Sequence, residues 1–203
     1  MVSADLADAY RSGTAYLSSA VHSLIGTHAT LGQEAVSGSA ASDATVASRR
    51  LDVAFRVYLA EQGTKLVHRD ELAALVGGAS RLLLTANSLA TLPLRTKGAT
   101  RGDELFLDGE LHNLATALGH IADDLSSSST LPASDPISVA GSPESVCARW
   151  IQHHLSHLQA DVDSLAQASA VVRSGVLNKH PIVQHRPDHV SLDLGAQVGN
   201  QGT

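Results

Sequence analysis

The chain has 203 residues, a formal net charge of −6, and 43% apolar residues of which few are aromatic. That length suffices for one domain with a real core, and the acidic balance excludes a general nucleic-acid binder, whose electrostatic footprint is basic. A single cysteine, Cys147, excludes an internal disulfide and any cysteine-built zinc site within one chain. Residues 2–10 carry two aspartates and no basic cluster, unlike a signal peptide.

The apolar content is mostly Ala, Leu and Val, which favours closely packed helices over a sheet. Five segments repeat apolar residues at steps of three and four. The first covers residues 4–36, with Leu6, Tyr10, Leu17, Val21, Leu24 and Leu31 on one face. At about 1.5 Å per residue it would reach roughly 50 Å, before a Gly/Ser/Ala stretch at residues 37–42 breaks it. The second covers residues 43–62, with Leu51, Phe55, Tyr58 and Leu59 as its stripe and Gly63 as its stop.

The third segment, residues 69–92, steps through Leu72, Leu75, Ala79, Leu82, Ala86 and Leu89 to Pro93. Gly77 and Gly78 inside it predict close approach of a neighbouring helix. It is the nearest thing to a membrane span, but Arg81 interrupts it and Ser80, Asn87 and Ser88 are polar, so it reads as a core helix of a bundle. The fourth segment starts near Asp103, and its Leu107, Leu111, Leu114, Leu118, Ile121 and Leu125 form a packing seam. A Ser/Pro-rich loop follows, residues 126–142.

Ser142, Pro143 and Glu144 predict the start of the fifth segment: a cap, a proline at the first position and an acid at the positive end. Its seam is Ile151, Leu155, Leu158, Val162 and Leu165, fading after Arg173. The expected fold is all-α: an antiparallel bundle of about five helices over residues 1–173, with an irregular C-terminal tail, residues 174–203.

Eleven histidines stand out. His154, His157 and Asp161 are three and four residues apart on the fifth segment, so their side chains can converge on one transition metal ion. His153 and Trp150 lie beside them, and the tail adds a looser set, His180, His185, Asp188 and His189. His112 and His120 lie opposite the fourth seam and are expected to be exposed. Cys147 falls on the apolar face four residues before Ile151 and reads as a small core residue. No Walker loop, dinucleotide fingerprint, zincin motif or nucleophile elbow is present, so the sequence offers no enzyme signature and implies no cofactor. In an acidic chain, Arg49, Arg50 and Arg56 are a local basic feature. A guanidinium there suits the carboxylate of a small organic acid or an anionic headgroup.

Residues 50–65, RLDVAFRVYLAEQGTK, and residues 70–92, DELAALVGGASRLLLTANSLATL, resemble the soluble region of fusaric acid resistance proteins, the aromatic acid exporter family. The likeness covers about a quarter of the chain and rests on a basic-apolar helix, a Gly-Thr-Lys turn and an Ala/Leu helix. It implies the cytoplasmic helical domain of a membrane transport protein, held at the inner face of the cell membrane. Its partners would be its own transmembrane region, which this chain lacks, and further copies of itself. The resemblance carries no binding residues over. Two other readings stand beside it: a histidine-based metal-sensing module, and a module that dimerises through the fourth seam.

Overall fold

In the computed structural model, residues 2–25, 31–61, 69–92, 100–126, 137–138 and 141–177 are described, with side chains described except at residues 31–37 and 175–177. They form five helices and, among the described residues, no strand: α1 (Val2–Ile25), α2 (Leu31–Glu61), α3 (Arg69–Ala90), α4 (Arg101–Ser126) and α5 (Val146–Leu177). The all-α bundle expected from the periodicity is what the chain builds.

Contacts between named residues set the directions. Arg50 of α2 reaches Asp8 of α1, and α1 pairs Arg11 with Asp123 and His22 with Asp108 on α4, so α2 and α4 both run antiparallel to α1. Arg81 of α3 meets Asp161 of α5, another antiparallel pair. Two neighbours run parallel. Tyr10 and Tyr16 of α1 bond to Leu75 and Asn87 of α3 in the same order along both helices. Asp103 and Asp124 of α4 meet Glu144 and Arg173 at successive levels along α5. α1, α3, α5 and α4 thus close a ring of four, and α2 lies outside it against α1, with a smaller contact to α3. The parallel α4–α5 pair puts the start of α5 beside the start of α4. Between the two helices, Ile137 is fastened to α4: Asn113 donates to its carbonyl at 2.9 Å and accepts from its amide at 2.8 Å.

The core fills the ring. Leu107, Leu111, Leu114, Leu118, Ile121 and Leu125 of α4 are all buried, as are Ile151, Leu155, Leu158, Val162 and Leu165 of α5. The α4 seam is therefore used within the chain, facing α1 and α5, and is not free for a second copy. α3 has the length and apolarity of a membrane-crossing helix, but Leu72, Leu75, Ala79, Leu82, Ala86 and Leu89 are buried in the ring, as expected of a core helix.

The close approach predicted on α3 falls on one of its two glycines. A methyl group on Gly78 would stand 2.5 Å from the Tyr10 hydroxyl and 2.8 Å from a Leu165 methyl, whereas Gly77 faces open space. Gly13 of α1 meets Leu82 in the same way, so α1 and α3 approach through a glycine from each side.

Three sequence boundaries need correction. The first helix ends at Ile25, and its expected continuation, from Leu31, belongs to α2. α2 then runs unbroken through residues 37–42. The apolar period runs on from Leu24 to Leu31 and so hid the end of α1. Gly38 costs about 1 kcal/mol within a helix, which Ala40, Ala41 and Ala44 offset by packing on the core. The cap of α5 is Ser145, whose hydroxyl accepts the Ala148 amide at 3.1 Å; Ser142 and the buried Pro143 lie ahead of the helix. The helix itself continues four residues beyond Arg173, to Leu177. The tail expected at residues 174–203 lies, from residue 178 on, outside the described residues, with His180, His185, Asp188 and His189 in it.

Candidate functional site

The outward side of α5 carries the histidines, because Leu155 and Leu158 turn the opposite side into the core. Trp150 and His154 are one turn apart and half-buried; their rings overlie with centroids 3.9 Å apart, and a His154 Nδ1 contacts the Trp150 carbonyl at 3.1 Å. His153 and His157, also one turn apart, are exposed. Their Nε2 atoms are 3.1 Å from each other, and their rings stand at 84° with centroids 4.4 Å apart.

Asp161 lies one turn further along and receives the Arg81 Nε at 3.0 Å. The two sit in an open cleft of about 480 Å³ between α3 and α5, which Leu84, Thr85, His157 and Leu158 help to line. The structure thus gives the proposed metal ligands separate partners: His154 lies on Trp150, His157 faces His153, and Asp161 is paired with Arg81. Among the described residues no three His, Cys, Asp or Glu side chains are gathered around a position for a metal ion. The His153–His157 spacing is as legible in the sequence as the set chosen there. What sequence could not supply is that Trp150 takes His154 away.

The three arginines of α2 are all exposed. Arg50 faces Asp8 at 3.4 Å and Arg56 faces Asp52, one turn back, at 2.7 Å, so two of the three already have a carboxylate within the chain. Arg49 and Arg56 are two turns apart on one flank. Val46, Val53 and Val57 lie between and beside the arginines and are 51%, 62% and 42% exposed. The inward side of the same helix buries Ala44, Ala47, Leu51 and Ala54.

A third polar centre went unread in the sequence. The Thr100 hydroxyl accepts the Asp103 amide at 3.1 Å, and an Asp103 carboxylate oxygen accepts the Thr100 amide at 3.0 Å, a reciprocal cap of α4. The other carboxylate oxygen accepts the Glu144 amide at 2.7 Å, which ties the start of α4 to the entry of α5. Asp103 is 1% exposed. Burial pushes its carboxyl up, but hydrogen bonds from Thr100, Glu144 and Ser145 together outweigh that and hold it below the ordinary aspartate range. The T-x-x-D spacing at residues 100–103 was the available signal.

Cys147 is half-buried against the core; burial, helped by the nearby Asp103 charge, raises its thiol and keeps it protonated. Burial likewise raises the Tyr10 hydroxyl, which donates to the Leu75 carbonyl at 2.9 Å. His112 is exposed as expected, but His120 is half-buried, and its Nε2 is enclosed without a partner, as is the Thr14 hydroxyl. The Arg11–Asp123 contact sets a register that brings Thr14 of α1 to the level of His120, which is why that flank of α4 is covered.

Comparison with family models, with curated proteins and with solved structures finds no match to this chain.

Proposed function

We propose that this bundle is the cytoplasmic assembly or gating domain of a membrane exporter for small organic acids, aromatic carboxylates among them, and that α2 is the edge turned toward the membrane-embedded part. The observation that carries the reading is the outward face of α2. Three valines stand in solvent there among Arg49, Arg50 and Arg56, on a helix that lies outside the four-helix ring. Apolar area of that kind gains free energy when covered, and flanking guanidiniums suit anionic headgroups or carboxylates at the covering surface. The segments that resemble the exporter family are the C-terminal half of α2 and all but the first residue of α3.

Solute contact is assigned to Arg49 and the neighbouring Arg50 and Arg56. An aromatic carboxylate would exchange with Asp8 or Asp52 for a guanidinium, so a triple Arg→Ala variant should lose solute binding. Unchanged binding in that variant removes the solute role and leaves the assembly role standing. The assembly role is tested by immunoblotting carbonate-washed membranes and cytosol from the source cells with antibody to this domain. The expected band is in the membranes and clearly heavier than 21.1 kDa; a cytosolic band at that mass overturns the proposal.

A further inference from the structure

We infer that His153 and His157 form a two-imidazole site for a borderline divalent transition metal ion such as Ni²⁺, Cu²⁺ or Zn²⁺, on the exposed face of α5. This is a different ligand set from the one the spacing of His154, His157 and Asp161 suggests, and it does not depend on the exporter reading. The two Nε2 atoms are 3.1 Å apart while the ring centroids are 4.4 Å apart, so the rings lean together at their nitrogen ends. With metal–nitrogen bonds of about 2.05 Å, a 3.1 Å separation subtends about 98° at a shared metal, between the octahedral and tetrahedral cis angles. The helix therefore holds the donors at the separation a metal needs. A neutral pair at this distance shares one N–H between the two nitrogens; binding a metal through both Nε2 atoms moves that proton to Nδ1 of the same ring, so both imidazoles coordinate in the neutral form.

Both histidines are exposed, so the remaining coordination positions are open to water. Imidazole ligands favour nickel, copper and zinc over magnesium or calcium, and copper should bind most tightly. His154 is left out, since its ring lies against Trp150. Asp161 is held by Arg81 on the far side of His157.

The test is titration of the full chain with CuCl₂ and NiCl₂, followed by calorimetry and by paramagnetic broadening of backbone amide resonances. The tail histidines give any such experiment a competing site, and the residue-resolved readout separates the two. The expected result is micromolar binding with broadening centred on residues 150–160. Affinity at that centre should fall at least tenfold in His153→Gln and in His157→Gln, and should not change in His154→Gln. All three side chains lie on the outer side of the bundle, and circular dichroism checks that each variant remains folded. Broadening confined to the tail overturns the inference. So does equal binding at α5 in His153→Gln and wild type, and a loss in His154→Gln with retention in His153→Gln would return the site to the set suggested by spacing.

Discussion

α4 and α2 are helices of similar length that differ in what they bury. α4 sends a leucine or isoleucine inward at every turn, and its start is tied to α5 through Asp103. α2 buries three alanines and one leucine over its described C-terminal part and keeps three valines in water. A buried leucine side chain is worth about 1.5–3 kcal/mol, against little for an alanine methyl. Burial of large side chains is therefore concentrated in the ring of α1, α3, α4 and α5, while α2 leaves its valines in solvent.

The largest expected effect lies on α4. Leu107 is fully buried, so Leu107→Ala should cost about 2–5 kcal/mol through lost burial and a residual cavity. Urea unfolding measures it. Native-state hydrogen exchange should show α2 opening at lower free energy than α4 in the wild type. If the two helices exchange together at the global value, α2 belongs to the same cooperative unit and the comparison fails.

α3 sharpens the same distinction between inward and outward sides within a single dipeptide. Gly78→Ala would press a methyl onto Tyr10 and Leu165 and should destabilise by about 1–3 kcal/mol, despite alanine's better helix propensity. Gly77→Ala, in open space, should stabilise by up to about 1 kcal/mol. Opposite signs at adjacent positions in thermal unfolding are the expected result. Stabilisation at both would mean that Tyr10 and Leu165 do not approach Gly78 this closely.

The start of α4 gives the next effect. Asp103→Asn keeps the size of the side chain but removes one acceptor from a group that serves two helix ends, and should cost about 1–2 kcal/mol at neutral pH. The folded carboxyl titrates below its ordinary value of 3.8. Its contribution is thus fully present above the unfolded pKa and is lost as pH falls through the folded one. The gap between wild type and variant should stay level from pH 7 to about 5 and close in stronger acid. A gap that widened on acidification would contradict the hydrogen-bond assignment.

These sites show how much was legible beforehand. The core faces of α4 and α5 follow from steps of three and four, since every predicted seam residue there is buried. On α2 the expected stripe is only partly inward: Leu51 is buried, Phe55, Tyr58 and Leu59 are half-exposed, and Ala44, Ala47 and Ala54 supply the rest of the buried face. The first boundary was not legible, because Leu24 and Leu31 keep the same period although they belong to α1 and α2. Helix directions escaped as well. A short loop suggests antiparallel neighbours, but α3 and α4 sit diagonally in the ring, and no local signal specifies a parallel α4–α5 pair. At the histidines, spacing alone could not tell which side chains meet, since stacking of His154 on Trp150 and the approach of His153 to His157 are choices between equally spaced partners. Asp103 went unnoticed because half of what it does depends on a residue 41 positions away.

The smallest expected effect on stability is on the outer face of α2, and it bears most directly on the proposed docking edge. Val53→Ser with Val57→Ser alters two exposed side chains that stand away from the core, so each change should fall within about 0.5 kcal/mol in urea unfolding. Arg56→Ala should lose only the exposed pair with Asp52, about 0.3–0.5 kcal/mol. These same substitutions should weaken retention of the domain in the membrane fraction if α2 is the docking edge, whereas Leu107→Ala should weaken folding first and retention only as a consequence. A double valine variant as unstable as Leu107→Ala would show that the stripe is already covered within the free protein. The surface assigned to a partner would then belong to the fold, and the contrast between α2 and α4 would disappear with it.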